Sequence, residues 1–214
     1  MRYSYTQISH YLTCPRRYRY RYLDGWRETG SRAAMLFGRA FESALGAYFR
    51  RDDPGEVLLR EWTAYKNQDL CFSEKDSWDL MLQRGIMLLI RFCQDDRVRV
   101  DCPERNLQIR FSRLIGQSEF ISYVDGIGKL DGKPCLLEWK TSSSLYPDEP
   151  EGLLALDPQL ICYSWMTGIA DVAQIVFVRK RMVEIQYLRT TISTEQRQEF
   201  GQLVESTIRR IERG

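Results

Sequence analysis

The chain has 214 residues, of which 43% are hydrophobic, and its formal net charge is +2. This length predicts one domain, or one domain with a helical insert, with enough apolar residues for a core. The near-neutral charge excludes a protein that is basic overall, so any nucleic-acid surface must be local. The N-terminus has no apolar signal run, and no stretch approaches a membrane span. We therefore expect a cytoplasmic protein with no membrane partner.

Two short helices are predicted at the N-terminus. Ser4 and Gln7 have the spacing of a capping box, and Pro15 suits the first turn of a second helix. Tyrosines and arginines interleave here, at Tyr3, Tyr5, Tyr11, Tyr18, Tyr20, Tyr22, Arg16, Arg17, Arg19 and Arg21. Such a segment can stack on single-stranded bases and hold phosphates, or it can be an amphipathic helix with solvated arginines. We expect most tyrosines in the core and one or two arginines, with Arg16 and Arg17 as candidates, on nucleic acid.

The next helix is predicted over 32–50. Its apolar stripe consists of Ala33, Leu36, Phe37, Ala40, Phe41, Ala44, Leu45 and Tyr48. Gly38 and Glu42 are four residues apart and share a face, where the glycine would let another backbone or a DNA strand approach closely. Glu42 could extend from this face toward a metal ion. Judged from these residues alone, a solvated surface glutamate is the better interpretation.

Residues 52–100 are predicted to form a helical insert that covers one side of a sheet. Helices are expected over 56–68 and 74–95, after an Asp-Asp-Pro-Gly sequence that breaks the preceding helix. Alternating apolar and polar side chains then predict the first strand of the sheet over 106–113.

Two further strands, over 120–130 and 135–141, are predicted to form a hairpin. Asp131 and Gly132 separate them, a pair typical of tight turns whose central residues need positive φ. With the strand before them they make an antiparallel three-stranded meander. We therefore predict an α/β fold in which a mixed sheet containing this meander is flanked by helices.

Three charged side chains are predicted to meet on this hairpin. Glu138 and Lys140 are two residues apart and point to the same face, and the hairpin can bring Asp125 beside Glu138. Two carboxylates and a lysine suit a metal-dependent phosphodiesterase, because hard oxygen ligands favour Mg²⁺ or Mn²⁺. The lysine could orient or deprotonate a water, or hold a phosphate oxygen. A buried cross-strand Glu–Lys pair without chemistry explains the same residues about equally well.

A helix is predicted to follow a loop rich in serine and proline. Asp157 suits its N-cap and Pro158 its first turn. Gln159 and Tyr163 lie one turn apart on one face of this helix. The pair could also be a capping glutamine and a core tyrosine, although this is the less favoured interpretation.

Two more strands, over 174–178 and 184–188, are predicted to pair before a terminal helix that begins at 194. Arg179, Lys180 and Arg181 lie between the strands. This basic tip could contact phosphate, or it could be an ordinary exposed hairpin end.

Five motifs along residues 3–178, which occur in the same order as in the family, resemble the PD-(D/E)XK nuclease superfamily. Asp125 followed by Glu138-Trp139-Lys140 resembles its signature. Three other stretches resemble the RecB-like branch, which includes the CRISPR-associated RecB-like exonucleases. They are Tyr3-Ser4-Tyr5-Thr6-Gln7-Ile8-Ser9 with Tyr11 and Cys14-Pro15-Arg16-Arg17-Tyr18, then Arg32 with Gly38 and Glu42, and finally Gln159 with Tyr163.

The resemblance implies a restriction-endonuclease-like core and a divalent-metal-dependent deoxyribonuclease, an exonuclease rather than a sequence-specific endonuclease. It implies Lys140, Glu138 and Asp125 as catalytic residues. It implies metal ligands at Glu42, Asp125, Glu138 and the backbone carbonyl of Trp139, although histidine is commoner than glutamate at the first of these positions in the closest branch. The candidates for substrate contact are Arg16, Arg17, Arg32, Gln159, Tyr163, Arg179 and Lys180.

The six cysteines bear on the choice of cofactor. They are Cys14, Cys71, Cys93, Cys102, Cys135 and Cys162, with no Cys-x-x-Cys pair, which argues against a zinc site or a disulfide framework. Many RecB-like nucleases carry an iron–sulfur cluster whose last three cysteines lie after the Gln-x-x-x-Tyr helix. Because no cysteine follows Cys162, we expect no cluster and a buried packing role for Cys14.

Three other classes of protein stay open at this point. The chain could be a catalytically silent nucleic-acid-binding subunit of a helicase–nuclease or CRISPR-adaptation complex, a restriction-type endonuclease, or a structural protein with a simple Glu138–Lys140 bridge. The expected binding partner is DNA, either single-stranded or at duplex ends. Helicase, recombination or CRISPR proteins are candidate partners.

Overall fold

The computed structural model describes residues 1–27, 30–101, 108–148 and 153–213. Its α-helices are α1 (Tyr5–Thr13), α2 (Pro15–Tyr18), α3 (Ala33–Phe49), α4 (Pro54–Thr63), α5 (Trp78–Cys93), α6 (Pro158–Thr167) and α7 (Thr194–Arg213), and short π- and 3-10 helices lie at Arg19–Leu23 and Leu154–Leu156. Its strands are β1 (Arg2–Ser4), β2 (Ser31–Arg32), β3 (Leu70–Cys71), β4 (Val98–Val100), β5 (Ile109–Ile115), β6 (Ser118–Val124), β7 (Gly126–Leu130), β8 (Lys133–Ser142), β9 (Asp171–Val178) and β10 (Glu184–Thr191). The mixed α/β fold predicted from the sequence is confirmed.

A five-stranded sheet in the order β10-β9-β8-β7-β4 forms the centre of the fold. Strands β8 and β9 are parallel and are connected through α6, while the other pairs are antiparallel. Leu137 and Trp139 pack into the core formed with α3, α4 and α5, whereas Leu136 packs into a core that includes Leu160 of α6. Both faces of the sheet are therefore covered, which is why β9 is apolar at most of its positions.

A smaller sheet in the order β1-β6-β5 lies beside the central sheet. Its core joins Tyr3 and Phe120 to Trp165 of α6 and to Phe200 of α7. The N-terminal strand is parallel to β6, and α1 begins directly after it with the capping box predicted for Ser4 and Gln7.

The strand predicted over 120–130 is in fact two strands that separate at Asp125. Strand β6 belongs to the small sheet and β7 to the central sheet, so the predicted meander is divided between two sheets. The pairing of β7 with β8 starts at Gly126 and Leu137. From Glu138 to Ser142, β8 pairs only with β9 among the described strands. The Asp125 carboxylate accepts the backbone N–H of Trp139 at 3.0 Å, so a side chain replaces the missing strand partner.

The Asp131–Gly132 turn forms as predicted. Asp131 has a φ of 52° and Gly132 a φ of 75°, the two positive angles that a type I′ hairpin requires. This turn fixes the register of β7 against β8 and hence the position of Asp125 relative to Glu138.

The predicted helical insert is only partly helical. Its two helices are α4 and α5, but β4 adds an edge strand to the central sheet, antiparallel to β7. The strand predicted over 106–113 corresponds to β5, and the part of that prediction before Gln108 lies outside the described residues. No helix within the described ranges combines the length and the apolarity needed to cross a bilayer.

Gly128→Ala is expected to destabilise the protein by about 3 kcal/mol. A Cβ atom at this position would overlap the carbonyl oxygen of Arg99 and lie 2.9 Å from Val100 Cα, so β4 would have to separate from β7. Gly126→Ala on the same strand is the control, because its Cβ would make an ordinary contact of 3.5 Å with Leu137. Urea denaturation of both variants measures the difference, and equal stabilities would contradict the prediction.

Candidate active site

A cleft of about 570 Å³ opens where β6 and β7 diverge beside β8. The polar side chains that line it come from six parts of the chain: Thr6, Arg39, Glu42, Gln108, Tyr123, Asp125, Glu138, Lys140, Thr141, Gln159 and Tyr163. The fork between the two sheets therefore gathers the predicted hairpin, α3 and α6 around one opening.

Two buried carboxylates form the floor of the cleft. Asp125 is 8% exposed and Glu138 is 1% exposed. Burial and the neighbouring Glu138 carboxylate raise the pKa of Asp125 well above its usual value. Within the described chain, Glu138 Oε2 is buried without a hydrogen-bond partner. Two carboxyl groups in such surroundings favour a proton or a cation between them.

Lys140 lies beside this pair. Its ammonium forms an ion pair with Glu138 Oε1 and donates a hydrogen bond of 2.9 Å to Gln159 Oε1. Burial alone would lower the pKa of Lys140, but Glu138, Asp125 and Asp157 outweigh burial and raise it. Lys140 is therefore a protonated side chain, suited to holding a phosphate oxygen rather than to removing a proton from water.

Gln159 and Tyr163 extend the contacts of Lys140 into α6. Gln159 Nε2 donates to the hydroxyl of Tyr163 at 2.6 Å, and Tyr163 is 5% exposed. The helix is capped by Asp157, which accepts the backbone N–H of Gln159, so the Gln159 side chain is free of any capping role. A capping glutamine is thus the wrong interpretation, and the pair instead orients Lys140.

Gln159→Leu is expected to slow any reaction that depends on the Lys140 ammonium by about 10- to 100-fold, the range found for residues that orient a functional group. Leucine cannot accept from Lys140 or donate to the buried Tyr163 hydroxyl, so unfolding should also become easier by about 1–2 kcal/mol. Gln159→Glu should restore the acceptor for Lys140 and recover most of the rate. Single-turnover rates and thermal melts of both variants measure this, and a Gln159→Leu enzyme with wild-type turnover would contradict the assigned role.

Glu42 reaches the same cleft from α3. Its Oε1 accepts a hydrogen bond of 2.7 Å from Gln108, and burial together with the charge of Glu138 raises its pKa. The interpretation of Glu42 as a solvated surface residue is therefore wrong. Gly38, one turn earlier, would carry a Cβ at an ordinary 3.5 Å from Thr141 Oγ1, so nothing in the fold itself requires glycine there.

The three predicted metal ligands share a cleft, but they do not form a ready-made three-ligand cluster. No three His, Cys, Asp or Glu side chains of the described residues meet closely enough to hold a metal ion. Gln108 engages Glu42 and Lys140 engages Glu138, which turns both carboxylates toward internal partners. The unpartnered Glu138 Oε2 and the buried Asp125 still offer the hard oxygen donors that Mg²⁺ and Mn²⁺ prefer.

Several predicted substrate contacts lie away from this cleft. Arg16 and Arg17 are exposed on α2, and Arg32 is exposed immediately before α3. None of the three lines the cleft.

Of the tyrosines interleaved with these arginines, only Tyr3 and Tyr18 are fully buried, so the expectation that most of them belong to the core is wrong.

The basic tip after β9 also differs from the prediction. Arg179 is 3% exposed and pairs with Asp76 at 3.4 Å, so an exposed hairpin end is the wrong description of it. Lys180 is half-exposed and pairs with Glu184 at 2.8 Å.

Cys14 is not a buried packing residue, which corrects a further prediction. It is half-exposed, and its Sγ accepts the N–H of Arg17 as the N-cap of α2.

A second cleft of about 620 Å³ continues from the first and was not foreseen. It shares Arg39, Glu42, Gln108 and Tyr123 with the carboxylate cleft, and Arg50 and Arg60 line its far part. Arg39 could have been found from its position one turn before Glu42 on the same helix face. Gln108 gave no such signal, because its contact with Glu42 joins residues that are 66 positions apart.

A mixed sheet flanked by helices, with two buried carboxylates and a lysine where β6 and β7 separate, defines an α/β protein with a charged cleft at the edge of its central sheet. The family model of the PD-(D/E)XK nuclease superfamily matches residues 2–214, and the chain belongs to that superfamily. Membership implies a nuclease, a hydrolase of phosphodiester bonds, in a family whose members generally use divalent metals such as Mg²⁺. No curated protein sequence matches the chain.

Two solved structures are similar to the chain. A crystal structure of the protein named "Putative exonuclease" from Eubacterium rectale aligns with a TM-score of 0.62 at 14% identity, covering 98% of this chain and 79% of that one. A crystal structure of SSO0001 aligns with a TM-score of 0.34 at 13% identity, covering 95% of this chain and 82% of that one, which is too weak to carry an argument. The first likeness supports the fold assignment.

Proposed function

We propose that the protein is a divalent-metal-dependent deoxyribonuclease of the RecB-like branch that degrades DNA from an end. One observation carries the proposal. Asp125 and Glu138 are buried together in an open cleft, and a protonated Lys140 lies against them. A purely structural Glu–Lys bridge would need neither the second buried carboxylate nor a free Glu138 oxygen, because each adds a desolvation cost.

The chain's own residues have distinct roles in this proposal. Asp125 and Glu138 hold the cation, with Glu42 and the backbone carbonyl of Trp139 as further ligands. A Mg²⁺ or Mn²⁺ ion held there would supply an activated water and offset negative charge on the phosphate. Lys140 stabilises the developing charge on a non-bridging phosphate oxygen. Gln159, held by Tyr163, keeps the ammonium in position.

The second cleft suggests how the substrate strand approaches. Arg39, Arg50 and Arg60 line it and can contact phosphates, while Tyr123 is 48% exposed where the two clefts join. An exposed aromatic ring beside a basic groove is typical of single-strand binding, where bases stack and phosphates are held. We infer that a single strand, or the frayed end of a duplex, lies in this groove. Gly38 then gives that strand room beside Thr141.

Digestion of matched DNA forms tests the proposal. With Mn²⁺ or Mg²⁺ present, the protein should degrade linear single- and double-stranded DNA, and EDTA should stop the reaction. Covalently closed circular plasmid should survive, because an exonuclease needs an end. Cleavage of the circle would indicate an endonuclease instead. Intact linear DNA under every metal condition would point to a silent binding subunit of a helicase, recombination or CRISPR complex.

A further inference from the structure

A third cleft, of about 560 Å³, lies at the carboxyl ends of the two parallel strands. Ser143 and Ser144 follow β8 on one side of it, and Arg179 directly follows β9. The two strand ends are tied together by the N–H of Arg179, which donates to the carbonyl of Ser142 at 2.7 Å. The carboxyl ends of parallel strands are where open α/β sheets bind ligands.

The wall of this cleft contains more positive than negative charge. Asp76 Oδ1 lies 3.4 Å from Arg179 Nη1 and 3.6 Å from Arg84 Nη1, so one carboxylate serves two guanidinium groups. The three side chains are 7%, 2% and 17% exposed, respectively. The Nε of Arg179 is buried and has no hydrogen-bond partner in the described chain. The cluster therefore carries an uncompensated positive charge largely shielded from water, which is costly without a counter-ion.

The rim adds to this excess. Among the described residues, Lys75, Lys180 and Arg181 line the cleft together with Glu74, and Lys180 also pairs with Glu184. Among the residues that the structure describes, five basic and two acidic side chains line it, although the whole chain has a formal net charge of only +2. Serine hydroxyls together with guanidinium and ammonium groups are the donors that hold a phosphate.

We propose that this cleft binds a phosphate of the DNA strand whose scissile bond lies at Lys140, an inference that rests on the proposed function. Ser143 comes three residues after Lys140, which places it about 10 Å away along the strand. Consecutive phosphates of one strand are about 3.4 Å apart along the axis of a duplex and further apart in a stretched single strand, so the bound phosphate lies at most about three nucleotides from the scissile bond. Either a terminal 5′-phosphate or an internal phosphodiester satisfies this chemistry.

The test measures binding without hydrolysis. Fluorescence anisotropy in EDTA compares a short single-stranded oligonucleotide carrying a 5′-phosphate with the same oligonucleotide carrying a 5′-hydroxyl. The variant is Lys75→Gln with Arg181→Gln, both exposed, and the control is Lys129→Gln with Lys133→Gln, both exposed near the far end of β8. The rim variant should bind about 10-fold more weakly. The slope of the logarithm of its binding constant against the logarithm of the salt concentration should be less steep, by the loss of about one or two phosphate contacts. A loss confined to the 5′-phosphorylated probe identifies a terminal phosphate, and an equal loss for both probes identifies an internal one.

Asp76→Asn provides a second measurement in the opposite direction. Removing the shared carboxylate leaves the Arg84 and Arg179 guanidinium groups without their acidic partner. Both can then pair with a phosphate of the oligonucleotide, which should bind several-fold more tightly. A cluster that only pins α5 to β9 would leave affinity unchanged, and that result would overturn the inference, as would a rim variant that binds like its control. Because no metal is present, a loss of binding at this cleft is independent of whether the protein cleaves DNA. If the wild-type protein hydrolyses linear DNA and the rim variant binds the oligonucleotide normally, this inference is refuted while the proposed function stands.

Discussion

Lys140→Ala is expected to lower the rate of metal-dependent DNA hydrolysis by about 10³-fold. Among the described residues, the Lys140 ammonium is the cation that pairs with buried Glu138, whereas Arg39 lines the cleft without a salt bridge to either buried carboxylate. Because the pKa of Lys140 is raised, it supplies charge rather than a proton acceptor. Single-turnover digestion of linear DNA in Mn²⁺ measures the effect directly.

Lys129→Ala is the matched control for this experiment. Lys129 is exposed on β7 and does not line the carboxylate cleft, so its removal should leave the rate unchanged. Circular dichroism must show that both variants are folded, because loss of Lys140 leaves the charge of Glu138 buried without its partner. A folded Lys140→Ala protein that digests DNA at the wild-type rate would exclude the role assigned to Lys140.

Asp125→Asn is expected to stabilise the metal-free protein and to abolish both activity and metal binding. The amide removes a like charge from beside Glu138, while its oxygen still accepts the N–H of Trp139. We expect a gain of about 1 kcal/mol in the free energy of unfolding, because functional sites often retain destabilising charges. Thermal melting in EDTA measures this gain.

The same variant should lose its response to divalent ions. For the wild type, Mn²⁺ at 100 times its Kd should stabilise the fold by about 2.7 kcal/mol, because the ion binds only the folded site. Asp96→Asn, an exposed carboxylate replaced in the same way, should keep the full response. If Mn²⁺ stabilised the Asp125→Asn protein as much as the wild type, Asp125 could not be a principal ligand.

Local patterns in the sequence predicted those parts of the site that depend on neighbouring residues. The Asp131–Gly132 turn and the spacing of Glu138 and Lys140 fix the hairpin through φ angles and strand alternation alone. The approach of Asp125 to Glu138 follows from that register. The separation of β6 from β7 could not be predicted, because it depends on which sheet each half of the segment joins, and that is decided by distant partners.

The contacts that were missed or misjudged all join distant parts of the chain. Gln108 meets Glu42, and Asp76 meets Arg179 across 103 positions, which turns a predicted exposed arginine into a buried one. The motif resemblance located Glu42, Gln159 and Tyr163, which periodicity alone would have assigned to surface, cap and core. Their hydrogen bonds to Gln108 and to each other were visible only in three dimensions.

The most direct test of this account is a crystal grown with Mn²⁺ and measured for anomalous scattering. We predict a peak in the fork between β6 and β7, about 2.0–2.2 Å from carboxylate oxygens of Asp125 and Glu138. Binding of the ion should turn the Glu42 side chain away from Gln108 and the Lys140 side chain away from Glu138. Absence of any peak at these carboxylates in a crystal saturated with Mn²⁺, or a peak only elsewhere, would contradict the metal-dependent nuclease assignment.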